Sequence, residues 1–541
     1  MTKSHFPCSN FVRLISMLML VVVLCLMFPR SADAANCQWK TIPVDSTWIN
    51  PNNWLNCNSG VPTSSDTVQI QAGGTQPIIT TAVTLAGVTI DSGASLTIGL
   101  GGSLTLTGDF VNNGTYTYSS GAGDTIFNGT STLSGIGSWF FRSISINSTK
   151  ILNAGSTSIT VAGTFVVSGT FNGDSGTVTF SGSGTVGGSG VSNFNNFVIN
   201  APSNTLNISS GRTISVSGDF TKTAGTFGCG GSNCTLNFNG TGTSAFSSTD
   251  SVNNYNITVA SGKLLSTSST FKLGRDVGGA GTFVANDGTI TFNGSVAQSI
   301  NGTGSTTFNN LTIANGTNGS TTFGANSTVN GALTLTTDLQ VSPGISLTLG
   351  STATCAGIGD VFGTVRRTYF ITGTSYCFGN QYVSISFASG TFTSPSIDVT
   401  LVKPKPANAG FSNSVNRLYS IADSGISNFS ATLRLRYLDS ELNSNAEGAT
   451  LALWKFIGSN TWTKFDNTNF DSTNNWVERS AITSFSSWVL ANNAPASATP
   501  ISIASFEAQS GGPDWSLAAI GFGMLGLLAV TGAGLKLARN R

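Results

Sequence analysis

The chain has 541 residues, of which 9% are charged, against about 25% in an average globular domain. Its formal net charge of +1 gives no electrostatic basis for binding nucleic acid. The composition is rich in Gly, Ser, Thr and Asn, but 34 phenylalanines argue against a disordered chain, because disordered chains are poor in aromatic and β-branched residues.

The N-terminal segment 1–34 has the features of a secretory signal peptide. A basic leader ending at Arg13 precedes an apolar run over 14–28, and Ala32 and Ala34 frame a small-residue cleavage site. We therefore expect export, with cleavage after Ala34. Because the apolar run is long for a signal peptide, a retained N-terminal anchor is the alternative.

Residues 35–65 are expected to form a small N-terminal cap. Trp48 and Trp54 are large aromatic residues in an otherwise polar segment. A Val-Pro turn at Pro62 then leads through Asp66 into the first strand of the following region.

The long segment 66–350 is repetitive. A Gly-Thr-aromatic triplet recurs at nearly constant spacing, with its aromatic positions at Tyr116, Phe171, Phe227 and Phe283. A Phe that closes a short strand, and motifs such as "FNNLTI", keep nearly the same period. A unit of about 55 residues with constant strands and variable turns is typical of repeat architectures.

The strands within each unit indicate the fold class. Runs such as "SLTLTGDF" and "TISVSGDF" alternate apolar residues with Thr or Ser. This favours an all-β parallel β-helix, or solenoid, with roughly three coils of about 18 residues per repeat and about 15 coils in total. We expect Phe180, Phe238 and Phe292 to point inward as an aromatic stack. A β-propeller is the alternative, but no blade-like tryptophan motif recurs.

Charged residues return in the segment 351–491, where the strands also lengthen. Their clean alternation predicts an antiparallel β-sandwich. The stretch "ATLRLRYLDSELN" places Leu433 and Leu435 on one face and Arg434 and Arg436 on the other. We expect these arginines to be solvated and paired with acidic residues rather than to bind a ligand.

The C-terminal residues predict a membrane anchor. A Pro/Ala/Ser-rich flexible linker covers 492–514, and a transmembrane helix is expected over 515–535, where an uncharged run is long enough to span a bilayer. The basic tail 536–541 should remain cytoplasmic by the positive-inside bias. The expected location is the cell membrane, with a single span and an extracellular N-terminal ectodomain.

Six cysteines remain after the signal peptide and fall into sequence-local pairs. In an exported chain this pattern predicts three structural disulfides: Cys37–Cys57, Cys229–Cys234 and Cys355–Cys377. Zinc is the alternative for paired cysteines, but no second pair lies close by in sequence, and no histidine of the mature chain is present to complete a tetrahedral site.

The Trp-rich opening, the "FNNLTI" repeats, the sandwich and the anchor together carry a resemblance. The chain resembles bacterial cell-surface adhesin-like or autotransporter-type β-solenoid proteins with a C-terminal membrane anchor. Because the shared motifs are structural, the resemblance implies a location and an architecture more than a ligand.

A β-helix enzyme needs clustered acids, or an acid beside a base. Between 60 and 350 there is no glutamate, and the ten aspartates are scattered. Asp276, with Arg275 and Lys272 close in sequence, is the best single candidate for a catalytic carboxylate. The only histidine is His5 in the signal peptide, which removes a His base or a Ser-His-Asp triad from the mature chain.

Other aspartates recur at equivalent places, Asp109 with Asp219 and Asp174 with Asp287, which favours turn capping. The turns at Asp174 and Asp287 also offer oxygen ligands for calcium, although Asx turns explain them without a metal. We therefore assign no catalytic, cofactor-binding or metal-binding residue, and keep calcium as the minor alternative. Sequons such as Asn113 leave glycosylation open.

Two functions remain. The first is a non-enzymatic, membrane-anchored extracellular rod that acts in adhesion or in the cell envelope, with glycans or other surface proteins as partners. The alternative is a carbohydrate-active β-helix enzyme, either a polysaccharide lyase or a hydrolase. The two differ in whether carboxylates, or a carboxylate and a base, converge within hydrogen-bond reach in a groove.

Overall fold

In a computed structural model, the chain is described over residues 34–231, 233–248, 255–316, 320–405, 411–459 and 461–495. These residues are all-β and form a parallel β-solenoid of about 14 turns, continued by antiparallel strands. The helical content of this part is limited to two short 3-10 turns, Pro51–Asn53 and Asp439–Glu441.

The predicted signal peptide up to residue 33, the linker beyond residue 495, the span 515–535 and the tail 536–541 all lie outside the described residues. Within the described ranges, no helix has the length and apolar character that a membrane crossing requires.

Each turn of the solenoid carries three short strands, and strands stack into parallel ladders along it. The longest, which we number the third ladder, contains Asn36–Trp39, Thr67–Ile70, Gly87–Ile90, Phe110–Asn112, Thr130–Ser134, Ile151–Asn153, Thr170–Asn172, Val191–Phe194, Thr213–Val216, Cys234–Phe238, Tyr255–Val259, Val277–Gly279, Gln298–Gly302, Thr321–Phe323, Leu339–Val341 and Val361–Arg367.

Two further ladders belong to the N-terminal turns. The first contains Ile78–Ile79, Ser95–Ile98, Thr115–Tyr118, Ser138–Phe141, Ser158–Val161, Thr177–Phe180 and parts of Asn196–Ile208, Phe220–Cys229 and Gly242–Ser248. The second contains Ala82–Leu85, Ser103–Leu106, Thr125–Phe127, Ile144–Ile146, Phe165–Val167, Gly184–Gly187 and the remaining parts of Asn196–Ile208 and Phe220–Cys229.

The C-terminal turns use two other ladders. The fourth contains part of Gly242–Ser248, then Lys263–Thr267, Thr282–Ala285, Thr306–Phe308, Ser327–Val329, Ser346–Leu349 and Val361–Arg367. The fifth contains Phe271–Leu273, Thr289–Phe292, Asn310–Ile313, Ala332–Leu335 and Thr354–Gly357.

Alternation within each strand builds the core. In Thr177–Phe180, Val178 and Phe180 are buried, whereas Thr177 and Thr179 are partly exposed on the outer surface. Successive residues of a strand point to opposite faces, so one apolar residue in two is enough to fill the interior. The alternation of apolar residues with Thr and Ser therefore matches a solenoid with a dry interior and a hydroxyl-rich surface.

The predicted inward positions are confirmed, but the predicted stack is not. Phe180, Phe238 and Phe292 are all fully buried. They belong to the first, third and fifth ladders and do not stack on one another: Phe180 is linked to Phe238 only through Phe197, Phe220 and Phe246, and Phe292 contacts Phe308 and Phe323. Phe238, for example, lies 6.1 Å from the ring of Phe246.

The turns are longer than the predicted coils. Hydrogen bonds between stacked positions join Thr177 to Asn196 and Asn196 to Asp219, at sequence separations of 19 and 23. The next such bond joins Asp219 to Ala245, at a separation of 26. One sequence repeat therefore covers more than two turns but fewer than three.

The sequence repeat and the structural turn are consequently out of phase. The aromatic residues of the triplet lie on different ladders, with Tyr116 on the first, Phe171 on the third, Phe227 on the second and Phe283 on the fourth. All faces need the same alternating strand followed by the same kind of turn. The sequence pattern thus repeats with each strand and its following turn, and it does not indicate which face of the solenoid a given strand occupies.

The N-terminal cap closes the first turn. Its aromatic core places Trp54 edge-on against Trp39 and Trp48, with ring centroids 5.0 and 4.7 Å apart. The strand Trp54–Leu55 pairs antiparallel with Asn36–Trp39, so the predicted cap already contains the first strand of the solenoid.

Asp66 holds the beginning of the described chain. Its buried carboxylate accepts hydrogen bonds from the backbone N–H of Ala35 at 2.7 Å and from Thr63. Burial alone would raise the pKa of Asp66, but the hydrogen bonds from Thr63 and Ala35 outweigh it and lower the pKa below its ordinary value.

Antiparallel strands follow the solenoid without a break. Val361–Arg367 pairs in parallel with two solenoid strands and antiparallel with Ser384–Val402. The remaining strands are Ser375–Cys377, Leu418–Arg436, Ala452–Gly458, Thr461–Phe465, Asn469–Asp471, Trp476–Ile482 and Ser487–Ala491.

The two longest strands, Ser384–Val402 and Leu418–Arg436, form a hairpin with register shifts near its middle. One end of the hairpin pairs with Ser375–Cys377 and Trp476–Ile482, and its other end pairs with Val361–Arg367 and Ser487–Ala491. Irregularities of this kind bend a pair of strands, so the two ends of the hairpin meet different partners.

Because the sequence repeat and the structural turn differ in length, deleting one turn and deleting one sequence repeat should change the thermal stability by different amounts. Deletion of 139–158 removes one whole turn, because Trp139 pairs with Ile159 in the first ladder. We expect this variant to unfold cooperatively, with a midpoint within a few degrees of the parent in thermal unfolding followed by circular dichroism. Turn-by-turn stacking leaves the remaining contacts unchanged.

Deletion of 116–170 is the matched comparison. It preserves the Gly-Thr-Phe triplet by joining Thr115 to Phe171, but it joins residues of the first and third ladders. We expect a clearly lower midpoint for this variant. Equal unfolding midpoints for the two deletion variants would contradict the conclusion that one sequence repeat is not a whole number of structural turns.

Candidate functional site

Asp109 and Asp219, predicted to cap turns, bond through their carboxylates to the next turn of the solenoid, and so does Asp276. The Oδ1 atoms of Asp109, Asp219 and Asp276 accept the backbone N–H of a residue on the next turn. The three distances are 2.8, 2.8 and 2.7 Å, to Thr132, Ala245 and Ser299 respectively. These carboxylates therefore join consecutive turns by hydrogen bonds to the backbone.

The predicted catalytic candidate is not assembled into a cluster. Asp276 is engaged with the next turn, Lys272 is exposed on the outer face of Phe271–Leu273, and the carbonyl of Arg275 accepts a hydrogen bond from Gln298 at 3.1 Å. Among the ion pairs of the described residues, none joins Asp276 to Arg275 or Lys272.

The two turns considered for calcium are likewise used for backbone contacts. Asp174 adopts a left-handed conformation with φ +46°, and its Oδ2 accepts the N–H of Gly155 at 2.8 Å. The carbonyl of Asp287 accepts a hydrogen bond from Asn309 at 2.8 Å. In the described part of the chain, no three His, Cys, Asp or Glu side chains are grouped as a metal site.

The one dense group of charged side chains in the described ranges lies where the parallel solenoid meets the antiparallel strands. We call Asp360, Lys403, Arg417, Arg436 and Glu441 the charged junction. Apart from Lys403 its members are buried, although they come from positions far apart in sequence.

Arg417 is the centre of the charged junction. Its Nη2 donates to Asp360 Oδ2 at 2.7 Å, and its Nε donates to Glu441 Oε2 at 2.8 Å. The second oxygen of each carboxylate is also occupied. Arg436 Nη1 lies 2.9 Å from Asp360 Oδ1, and Lys403 Nζ contacts Glu441 Oε1.

The electrostatics keep the central guanidinium charged. Burial would lower the pKa of Arg417, but Tyr419, Asp360 and Glu441 raise it well above its ordinary value. The hydroxyl of Tyr419 accepts from Arg417 and donates to the carbonyl of Arg436, both at 2.9 Å. Burial raises the pKa of Tyr419 to about 12.

A cavity of about 420 Å³ adjoins the charged junction and is lined in part by Asp338, Asp360, Lys403 and Arg436. This is the nearest approach to a catalytic groove, since two carboxylates and two cations line it. However, Asp338 Oδ1 accepts the backbone N–H of Asp360 at 2.9 Å, and both oxygens of Asp360 accept from arginines. A carboxylate held in this way positions strands, and transfers a proton only after its ion pairs break.

The prediction for the two arginines is half right. Arg434 is partly exposed and pairs with Glu478 at 2.7 Å, as predicted. Arg436 also pairs with an acidic residue, Asp360, as predicted, but the prediction that it is solvated is wrong, because its side chain is buried in the charged junction. Strand alternation predicts which side chains share a face. It does not predict that residues at the end of the solenoid, Ile358 and Asp360, cover that face at Arg436.

The three predicted cysteine pairs are joined as disulfides in the structure. The Cα atoms are 4.8 Å apart for Cys37–Cys57, 5.8 Å for Cys229–Cys234 and 6.1 Å for Cys355–Cys377. All six sulfurs of the described chain are therefore used as covalent links, and none serves as a zinc thiolate. The first disulfide lies in the cap, the second closes a turn and the third lies at the end of the solenoid.

Sequence reasoning missed the residues that matter most at the charged junction, namely Asp360, Arg417 and Glu441. Their partners lie between 24 and 76 residues away, so local spacing carries no sign of them. The usable signal was regional, because ionisable residues reappear in a nearly uncharged chain at the point where the strand pattern changes.

No protein-family model, no curated protein and no solved structure matches this chain. The function must therefore be argued from its own residues.

The charged junction predicts a large cost for removing one carboxylate. Asp360→Asn removes the negative charge shared by two buried guanidinium groups and replaces one acceptor oxygen with an NH2 donor, and we expect the free energy of unfolding to fall by about 3–5 kcal/mol. Glu478→Gln is the control, because it breaks a partly exposed pair worth about 1 kcal/mol or less. Chemical unfolding of the full-length variants measures both values.

A loss below about 1 kcal/mol for Asp360→Asn would contradict a structural role for the charged junction.

Proposed function

We propose that the protein is a non-enzymatic surface rod, exported and held at the cell membrane by its C-terminal apolar segment, which acts in adhesion or in the cell envelope. A β-solenoid fits a surface rod and a β-helix enzyme equally well, so the fold does not decide between them. The proposal rests on one observation: the carboxylates are engaged in hydrogen bonds and ion pairs within the protein.

In an enzyme of this fold, acids would converge on a groove with their oxygens available to a substrate. Here Asp109, Asp219 and Asp276 each accept a backbone N–H from the next turn. The clustered acids Asp360 and Glu441 are both paired with Arg417. Such use of the acidic side chains supports a scaffold.

The outer surface supports a role in binding. On the third ladder, Asn172 donates to Asn153 at 2.9 Å, and Asn193 donates to Asn172 at 3.3 Å. The column continues through Ser215 and Asn237 on the following turns. Side-chain amides and hydroxyls repeat at the spacing of the strands, about 4.8 Å, and so present a regular set of donors and acceptors to a partner.

Three disulfides support an oxidising location, where such bonds persist. This agrees with the leader and with the apolar C-terminal segment expected from the sequence.

The cavity lined by Asp338 and Asp360 is the specific feature that favours the alternative, a carbohydrate-active enzyme. That alternative requires a substrate to replace the arginine partners of Asp360 during the reaction. Asp338→Asn therefore separates the two functions, because it changes one acid of the cavity and leaves the arginine pairs of Asp360 in place.

The test combines catalysis and location. The purified protein is incubated with a panel of plant, bacterial and algal polysaccharides. We expect that it releases no more reducing ends or unsaturated products from them than a control without protein. Asp338→Asn should behave identically. In intact cells, deletion of 515–541 should move the protein from the cell-associated fraction to the medium, because that segment is the proposed anchor.

Polysaccharide cleavage that Asp338→Asn abolishes would overturn the proposal in favour of the enzyme. Retention of the truncated protein at the cell would overturn the proposed anchor.

A further inference from the structure

Arg212 occupies an unusual position in the solenoid. It follows the turn between Asn196–Ile208 and Thr213–Val216, and only 7% of it is exposed. Its guanidinium donates to the carbonyl of Gly188 and to the hydroxyl of Ser192 on the preceding turn. Its Nε is buried and has no hydrogen-bond partner among the residues that the structure describes.

The other arginines buried in the described chain show what such a group ordinarily receives. Arg417 and Arg436 are paired with carboxylates. Arg367 donates to the carbonyls of Gly350, Ala353 and Cys377 and lies over the rings of Tyr376 and Phe378. Each of these three cations is compensated from within the protein.

Arg212 receives less: the guanidinium has one carbonyl and one hydroxyl as acceptors among the described residues. No described carboxylate forms an ion pair with it, and no described aromatic ring lies against it. Burial lowers its pKa, and no neighbouring charge offsets this effect. A buried guanidinium with two neutral acceptors and no counter-charge is costly to the fold, because desolvation penalises the charge.

A cavity of about 420 Å³ adjoins Arg212. Its walls come from two turns of the solenoid, 188–192 and 209–215, and they are lined by serine hydroxyls and glycine backbone without any acidic residue. The volume lies within the range of small-molecule sites. The cavity therefore joins one uncompensated cation to several neutral hydrogen-bonding groups.

We propose that this cavity binds an oxyanion carried by a sugar, such as the carboxylate of a uronic acid in an acidic polysaccharide. The anion supplies the counter-charge that Arg212 lacks, through charge-assisted hydrogen bonds to the guanidinium. Ser189, Ser192 and Ser209 line the same cavity, and serine hydroxyls suit the hydroxyls of a sugar ring.

This inference names a ligand class for the proposed adhesive role, and so rests on that role. The two fail separately, however. Absence of glycan binding by a protein that still resides at the cell surface overturns only the inference, whereas polysaccharide cleavage overturns only the non-enzymatic function.

Isothermal titration of the full-length protein with oligogalacturonate tests the proposal. We expect saturable binding that weakens with salt, and no binding of the methyl-esterified oligomer, which lacks the charge. Arg212→Gln should reduce the affinity at least about tenfold, as loss of a charge-assisted hydrogen bond does. Arg142→Gln is the matched control, since Arg142 is an exposed solenoid arginine that already pairs with Asp124, and it should leave the affinity unchanged.

Val191→Glu keeps the proposal testable if Arg212→Gln fails to fold. Val191 lines the cavity and is 54% exposed, so a glutamate there supplies an internal carboxylate without entering the core. We expect this variant to fold and to lose oligogalacturonate binding.

Several results would overturn the proposal. These are unchanged affinity in both Arg212→Gln and Val191→Glu, equal binding of the methyl ester, and binding of inorganic sulfate without any binding of the oligosaccharide, which would indicate an adventitious ion only.

Discussion

The stacking of turns about 4.8 Å apart is the constraint on which this structure depends. Each turn must satisfy the polar groups of the turn before it, because the parallel strands have no other partners. Backbone hydrogen bonds between stacked turns satisfy most of these groups, and in this nearly uncharged chain short oxygen-bearing side chains accept some of the N–H groups that remain. Asp109 and Asp276 accept a backbone N–H from the next turn, and Asn310 and Asn326 do the same with an amide oxygen.

The two ends of the described solenoid require different solutions, since stacking leaves an apolar core open at each end. At the beginning, Trp39, Trp48 and Trp54 pack edge to face and cover the core. At the other end, Val361–Arg367 passes from parallel to antiparallel pairing, and the charged junction around Arg417 lies beside this change. Charges are therefore concentrated where the repeating architecture ends.

Several features were accessible from sequence because they depend on local pattern. Alternating strands predicted the parallel solenoid and the burial of Phe180, and export predicted disulfides between nearby cysteines such as Cys229 and Cys234. The length of the turn was not accessible. A strand-and-turn unit looks alike on every face, so Tyr116 and Phe171 occupy equivalent places in the repeat but different ladders.

The candidate sites were harder to predict than the fold, because they depend on contacts between distant residues. Alternation in Leu418–Arg436 correctly put Arg434 on a polar face, but it carried no sign that Asp360 would bury Arg436. The lack of a counter-charge near Arg212 is likewise invisible in sequence. It becomes visible only when the structure shows which solenoid turns lie beside Arg212 and that the cavity they form is lined by no acidic residue.

The central claim is that carboxylates in the solenoid serve as hydrogen-bond acceptors between turns. The most direct measurement compares the unfolding free energies of two double variants at Asp109 and Asp276. Replacement by Asn keeps an oxygen acceptor, as at Asn310, and should preserve most of the stability, whereas replacement by Ala should cost about 1–3 kcal/mol per site. Equal losses in the Asn and Ala variants would contradict the account, because the negative charge itself would then be what the chain requires.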